Sequence, residues 1–317
     1  MTSSPTSSPT PIAPRRTVLA VPGSSDRFIA KSRTQPVDAL FLDLEDAVAP
    51  DAKAEARGRI VRALTDAGAD GWKAGAVTVR VNDWTTAWTH QDVIEVVGGA
   101  GAHLDTLVLP KVTSADHVVA LDLLLSQVER ANDLPAGRIG IEAQIEDARG
   151  LVNVNDIATA SPRMRSLVYG PGDFMASMQM GSVSVGGQPD GYAHDAFHHV
   201  LLSILVAARA AGIAAIDGPY VKISDVDGFI AAARSSAALG FDGKWVLHPA
   251  QVEAGNAAFS PAPEHFERAL RITEAYQRAT SAEGGAVGAI VVDEEMIDEA
   301  SVKLAATVVG RGRAAGM

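Results

Sequence analysis

Two acidic residues, Glu146 and Asp173, stand at the ends of two consecutive strand-like segments, 138–145 (RIGIEAQI) and 165–170 (RSLVYG). Carboxylates on neighbouring strands suit Mg2+. That ion is small and hard, wants an octahedron of oxygens, and usually takes one or two protein carboxylates while leaving room for water and substrate. Either residue alone has a plainer reading, Glu146 as a cap of the helical pattern near Asp147 and Asp173 as part of a Gly-Pro-Gly turn. The company they keep turns the pair toward metal chemistry.

That company lies at the ends of the other strand-like segments. In chain order these ends carry Pro22-Gly23-Ser24, Asp43-Leu44-Glu45-Asp46, Arg80 with Asn82, Lys111, Asp217-Gly218-Pro219 and His248-Pro249. Several acids thus converge near an arginine and a lysine, a constellation suited to a metal-bound carboxylate or keto acid. Arg80 sits among apolar neighbours in VTVRVND, so its guanidinium either enters a site or is buried and paired. Its planar fork suits the carboxylate of a small acid or an enolate oxygen. Lys111 in LVLPKV reads as an ion-pair partner in this acidic setting, with a Schiff-base lysine as the less favoured reading.

The elements that position these groups repeat. Eight short apolar or β-branched segments read as strands: 17–21, 39–44, 77–81, 106–110, 139–145, 166–170, 214–217 and 244–249. Amphipathic stretches at 52–67, 115–131, 195–211 and 225–239 have apolar residues at helical spacing. The alternation predicts a (β/α)8 TIM barrel, α/β in class, whose site lies at the C-terminal ends of its strands. An open doubly wound sheet would carry a glycine fingerprint after its first strand, and the turn at 22–26 reads PGSSD. The expected layout is a disordered tail over 1–14, a barrel over 15–260, and an extension over 261–317. The extension shows a helical pattern at 263–282, a glycine-rich turn, a strand-like 288–292 and a final helix from Glu299.

Composition narrows the partners. A formal charge of −11 argues against nucleic acid or an anionic membrane, which need an extended basic surface. The absence of cysteine excludes disulfides, thiolate nucleophiles and Cys-ligated metals, and fits a cytoplasmic enzyme. The Ser/Thr/Pro-rich first fourteen residues lack the apolar stretch of a signal peptide.

Taken together, VPGSSDRFIAKS, DALFLDLEDAVAPDAKAEAR, VRVN, LPKV, IEAQIEDARGLVN, YGPGDFMASM, IDGPY and GKWVLHPAQV resemble the CitE-like group. That group comprises the citrate lyase β subunits, the malyl-CoA and β-methylmalyl-CoA lyases, and relatives of the HpcH/HpaI aldolases. The likeness runs from about Arg15 to Val309 and leans toward the malyl-CoA lyase branch. It implies a carbon-carbon lyase in which Glu146 and Asp173 ligate Mg2+, with Mn2+ as the alternative ion. It implies that Arg80 contacts the keto-acid portion and that Glu45 and Asp46 line the metal's outer shell. It also implies a homo-oligomer, a trimer or dimer of trimers, whose C-terminal segment covers the active site of a neighbouring subunit. There Asp298, otherwise a helix cap, becomes a catalytic carboxylate.

An acyl-CoA needs a local basic patch on an acidic protein, and Arg27, Lys31 and Arg33 after the first strand are its expected suppliers, with Gly172 and Pro249 near the substrate. His194 and His198 fall at i, i+4 on a predicted helix, but no Glu lies between them, and zinc is not expected. The 175–180 stretch MASMQM reads as packing or a pliable wall, and 181–191 as a loop able to cover the mouth. Alternatives to a CoA-thioester lyase are a free-acid aldolase, a malyl-CoA thioesterase, and a citrate lyase β-type enzyme or accessory subunit.

Overall fold

A computed structural model describes residues 14–67, 71–281 and 287–317. Residues 1–13 of the expected tail and part of the glycine-rich turn lie outside the described residues. The chain divides into two compact units, 1–256 and 257–317.

In the first unit eight parallel strands close into a barrel in sequence order. They are β1 (Thr17–Pro22), β2 (Ala39–Asp43), β3 (Ala76–Arg80), β4 (Thr106–Leu109), β5 (Gly140–Ile145), β6 (Met164–Tyr169), β7 (Ala214–Asp217) and β8 (Gly243–Val246). Both faces of these strands are buried, so they read as near-continuous apolar runs. β1 pairs with β8 through Val18 and Trp245, which closes the ring. Val18, Ala39, Phe41, Ala76, Val108, Val168, Ala214, Ile216 and Trp245 form one buried cluster. Its alanines leave room for the rings of Phe41 and Trp245, whose centroids are 4.3 Å apart, so the interior is packed rather than open.

The predicted helices form, one with its expected bounds and three with later starts. Lys53–Thr65, Ala115–Ala131, His198–Ala211 and Val226–Leu239 are helical, the last capped by the Asp225 side chain accepting from Gly228 N. The helix ending at Ala211 stops at Gly212, whose φ of 69° is the left-handed conformation that favours glycine. Because this helix begins at His198, His194 stands before it, and the two histidines do not share a helical face. Local hydrogen bonding explains the late start, since Asp195 accepts from Phe197 N and from Gln188 Nε2 and holds that stretch in a turn.

In the second unit the helices Pro263–Thr280 and Glu299–Ala314 flank a hairpin of β9 (Ile290–Val292) and β10 (Glu295–Ile297). Its two-residue turn, Asp293-Glu294, has both φ angles positive, as the twist of a tight hairpin requires. Ala269, Ile272, Ile297, Ala305 and Val309 give the unit a core of its own. The reading of 288–292 as a lone strand missed its partner β10.

Candidate active site

Asp43 and Arg80 are the last residues of β2 and β3 and stand directly opposite each other in the parallel register. Their side chains meet as a fork, with Arg80 Nε donating to Asp43 Oδ1 and Nη2 to Oδ2, each at 2.7 Å. Asp43 also accepts from Glu45 N and Ala47 N, which ties the following turn to the same carboxylate. Burial opposes its charge, but Arg80 and these two N–H groups outweigh it and hold the carboxyl below its ordinary range. The guanidinium lies 5.5 Å from the ring centres of both Phe41 and Trp245, so an aromatic floor and an acidic partner fix its plane.

Glu45 is buried on the far side of this fork. Its carboxylate is 2.9 Å from Arg80 Nη1 and accepts from Lys111 Nζ at 2.6 Å, so it bridges both cations. Asp46, more exposed, is 3.7 Å from Lys111. Burial raises the Glu45 carboxyl above its ordinary value despite the two cations. Burial also works against the Lys111 ammonium, but Glu45 and the surrounding acids outweigh it and hold the charge on. Lys111 is therefore an ion-pair partner in this structure. Its backbone has a φ of 51°, unusual for a residue with a side chain, and its N–H donates to Glu146 Oε1 at 2.8 Å.

Glu146 follows β5 and is 3% exposed. It does not cap the next helix; Asp147 does, accepting from Arg149 N. Its second oxygen accepts from Gln144 Nε2 at 2.5 Å. Gly170, after β6, passes so close that an added Cβ would lie 2.2 Å from Glu146 Oε2. Asp173 lies in the first turn of the helix Pro171–Ser177, which begins where β6 ends. Burial, reinforced by the nearby charges of Glu45 and Asp173, pushes the Glu146 carboxyl up to about 8.

Asp43, Asp46, Arg80, Gln144, Glu146 and Asp173 line one cavity of about 440 Å3, walled by Phe41, Trp245, Val185, Pro219 and Leu247. Gly172 borders it beside Asp173. Val185 belongs to the 181–191 loop, which is anchored by Gly186 N donating to Met175 Sδ. A second, more apolar groove of about 340 Å3 shares Ala20, Val21, Pro22 and Leu247 with the cavity and is lined by Phe28, Lys31, His248 and Pro249.

The donor set fits a hard divalent cation. Asp43, Glu45, Asp46, Glu146 and Asp173 outnumber the cations Arg80 and Lys111 at this mouth, and the nearby acids add to burial in raising the Glu146 carboxyl. All donors are oxygens, and among the described residues no group of three or more His, Asp or Glu is arranged around a metal position. Two carboxylates with the remaining positions left to water and substrate is the arrangement Mg2+ favours.

The HpcH/HpaI aldolase/citrate lyase family matches this sequence over residues 16–249. The chain belongs to that family. An L-malyl-CoA/β-methylmalyl-CoA lyase of Cereibacter sphaeroides is 37% identical over 95% of both chains. A (3S)-malyl-CoA thioesterase of the same species is 35% identical, again over 95% of both. CitE of Mycobacterium tuberculosis, solved with magnesium, acetoacetate and coenzyme A, superposes with a TM-score of 0.73 at 30% identity, covering 96% of this chain and 99% of that one.

As an HpcH/HpaI family chain, it brings Arg80, Glu45, Asp46, Glu146, Asp173 and Gly172 to one mouth, while Lys31 and Pro249 line the adjoining groove. Arg27 is exposed, its guanidinium 4.8 Å from the Phe28 ring centre. Arg33 does not join a patch with them; it turns to Ala63 O and the Trp72 ring, because α-helical spacing sends it to another side from Lys31. Asn82 and Asp217 also leave the mouth, Asn82 for Asp92 and Leu44 O, Asp217 for Lys244 Nζ at 2.6 Å. Asp298 caps the helix Glu299–Ala314 by accepting from Ser301 N, and this bond holds its carboxyl below the ordinary range.

Four contributors escaped the sequence reading as site residues. Asp43 was visible as a strand end, but its fork with Arg80 depends on register. Gln144 was detectable, since Glu142, Gln144 and Glu146 share one strand face at period two. Phe41 and Trp245 lie inside strand-like segments, where nothing local marks them for a site.

Proposed function

We propose that this chain is a Mg2+-dependent carbon-carbon lyase that cleaves, or forms, malyl-CoA and β-methylmalyl-CoA, giving glyoxylate and acetyl-CoA or propionyl-CoA. The observation that carries it is the placement of Glu146 and Asp173 in one cavity with Arg80, in a chain 37% identical to a lyase of that name. Glu146 and Asp173 would hold the ion, Mg2+ or alternatively Mn2+, which when bound supplies a Lewis acid for the substrate's oxygens. Asp43 takes two N–H groups of Arg80, and the guanidinium keeps further donors for the keto-acid carboxylate and the developing negative oxygen. Glu45 and Asp46 set the field around them.

In the cleavage direction the hydroxyl loses its proton and the bond between the hydroxyl-bearing carbon and the α carbon breaks. Its electrons form the thioester enolate, and the α carbon then takes up a proton. Asp298 is the carboxylate assigned to that α proton, delivered from a neighbouring copy in a homotrimer or dimer of trimers. The bond from Ser301 N keeps it ionised, the form that can take a proton in the condensation direction. Lys31, with Arg27, would meet the phosphates of CoA along the adjoining groove. A cytoplasmic location goes with this reading; no helix among the described residues is long and apolar enough to cross a membrane.

The test is release of glyoxylate and of free CoA from malyl-CoA by the purified protein, with Mg2+ and with EDTA. Metal-dependent glyoxylate with acetyl-CoA is the expected result. Free CoA and malate without glyoxylate would replace the lyase by a thioesterase, the activity for which a 35% identical relative is named. No turnover of any malyl-, methylmalyl- or citramalyl-CoA would defeat the proposal.

A further inference from the structure

The helix Lys53–Thr65 carries two basic residues one turn apart, Lys53 and Arg57, both buried. Arg57 is answered by acids, Asp92 at 3.2 Å and Glu95 at 2.9 Å. Lys53 is held differently. Its ammonium donates to Leu44 O at 2.8 Å and Glu45 O at 3.0 Å and lies 5.0 Å from the centre of the Trp88 ring. Two carbonyls and a ring thus surround a cation whose burial is costly. Burial pulls its pKa down, while Asp92, Asp43, Glu45 and Asp46 hold it up.

The carbonyls that Lys53 grips belong to the turn that aims Glu45. Leu44 O takes a second donor, Asn82 Nδ2 at 3.1 Å, and Asn82 is itself fixed by Asp92, the partner of Arg57. From the other side, Leu44 N donates to Arg80 O and Glu45 N to Asp43 Oδ1, each at 2.9 Å. The peptide is therefore pinned from the barrel and from the helix layer at once. The Glu45 carboxylate that follows this peptide reaches Arg80 and Lys111 together.

We propose that Lys53 is a positioning residue for the mouth: its ammonium, together with Asn82, clamps the Leu44–Glu45 peptide so that Glu45 bridges Arg80 and Lys111. Its rate readout rests on the lyase reading above; its structural readout does not. Sites of this kind work only when supporting groups hold the reacting side chains to within about 0.5 Å.

The experiment compares the full-length protein with Lys53→Met, which keeps the stem and removes the donors, and Lys53→Gln, which restores N–H donors without charge. Each is measured by thermal melting, by malyl-CoA kinetics with saturating Mg2+, and by crystallography. The expected result is a folded Lys53→Met protein whose kcat falls on the order of 100-fold, as a small misplacement can cause, with KM little changed. Lys53→Gln should recover part of that loss. In crystals of Lys53→Met the Leu44–Glu45 peptide should turn and Glu45 should leave Lys111. The proposal is overturned by an unchanged kcat in Lys53→Met, by Lys53→Gln performing no better than Lys53→Met, or by a Lys53→Met structure with Glu45 still on both cations. Should Lys53→Met not fold, Asn82→Ala removes the other donor to Leu44 O, and the same kcat loss at steady KM is required of it. If the wild-type protein cleaves no malyl-CoA, the functional reading falls, and the crystal comparison alone decides the role of Lys53.

Discussion

Arg80 and Arg163 each stand at the centre of a buried ion network, and the two networks are balanced differently. Arg163 donates through Nη1 and Nη2 to both oxygens of Glu129, at 2.8 and 2.7 Å, and through Nε to Asp122 at 2.5 Å. Ile139 N and Gly137 N complete Glu129, and Ser161 Oγ completes Asp122. Burial opposes both charges, yet these hydrogen bonds outweigh it, and both carboxyls lie below their ordinary range. Around Arg80 burial prevails over the donors at two of the acids instead, and Glu45 and Glu146 are raised. A satisfied network holds strands and helices together. An unsatisfied one in a cavity has capacity left for a ligand, and perturbed groups of that sort concentrate at functional sites.

The contrast is most easily broken at the mouth. Glu146→Gln and Asp173→Asn should each lower malyl-CoA cleavage by at least about 1,000-fold and sharply weaken Mg2+ binding measured calorimetrically, because the ion loses one of its two protein carboxylates. Retained metal affinity in either variant would mean that the charge excess serves something else. Asp298→Asn comes next. Asparagine caps a helix as well as aspartate, so the melting temperature should hold while kcat falls by about 100- to 10,000-fold, the range for a lost acid-base group. An active Asp298→Asn enzyme would leave Asp298 a cap only.

The balanced network should respond in the opposite sense. Arg163→Met strands two carboxylates and should destabilise the fold by about 3–5 kcal/mol in urea unfolding, while kcat of the folded fraction stays near wild type. A large kcat loss at unchanged stability would erase the distinction between the networks.

The smallest effect is a slope in pH. The Glu146 carboxyl stands at about 8 in the metal-free fold against an ordinary 4.5. Its contribution to stability is therefore fully present below the unfolded value and is lost as pH rises toward 8. Asp122 and Glu129, both lowered, contribute above their unfolded values and lose that contribution as pH falls through the acid range. In EDTA the wild-type melting temperature should drop between about pH 5 and 8 relative to Glu146→Gln, and parallel curves would contradict the assignment.

Much of this was legible in the chain. All eight strands show as apolar runs because a parallel barrel buries both faces of each strand, and the polar or charged residues that end most of these runs mark the mouth. Glu146, Asp173 and Arg80 could be named because acids and an arginine at strand ends are rare without a purpose. Arg33 turns away from Lys31, and Asn82 from the cavity, because adjacency in sequence does not tell which way a side chain leaves its backbone.

By itself, then, the sequence determined the repeating architecture, the family, and the kinds of group at the strand ends, since these follow from local periodicity and residue type. Tertiary structure decided which groups meet. The fork of Asp43 on Arg80 follows from the β2–β3 register. The bridge of Glu45 between two cations, and the grip of Lys53 on the turn behind it, join residues from separate strands and from the helix layer. Charge balance depends on distances between such residues, and no local pattern in a chain encodes a distance across a barrel.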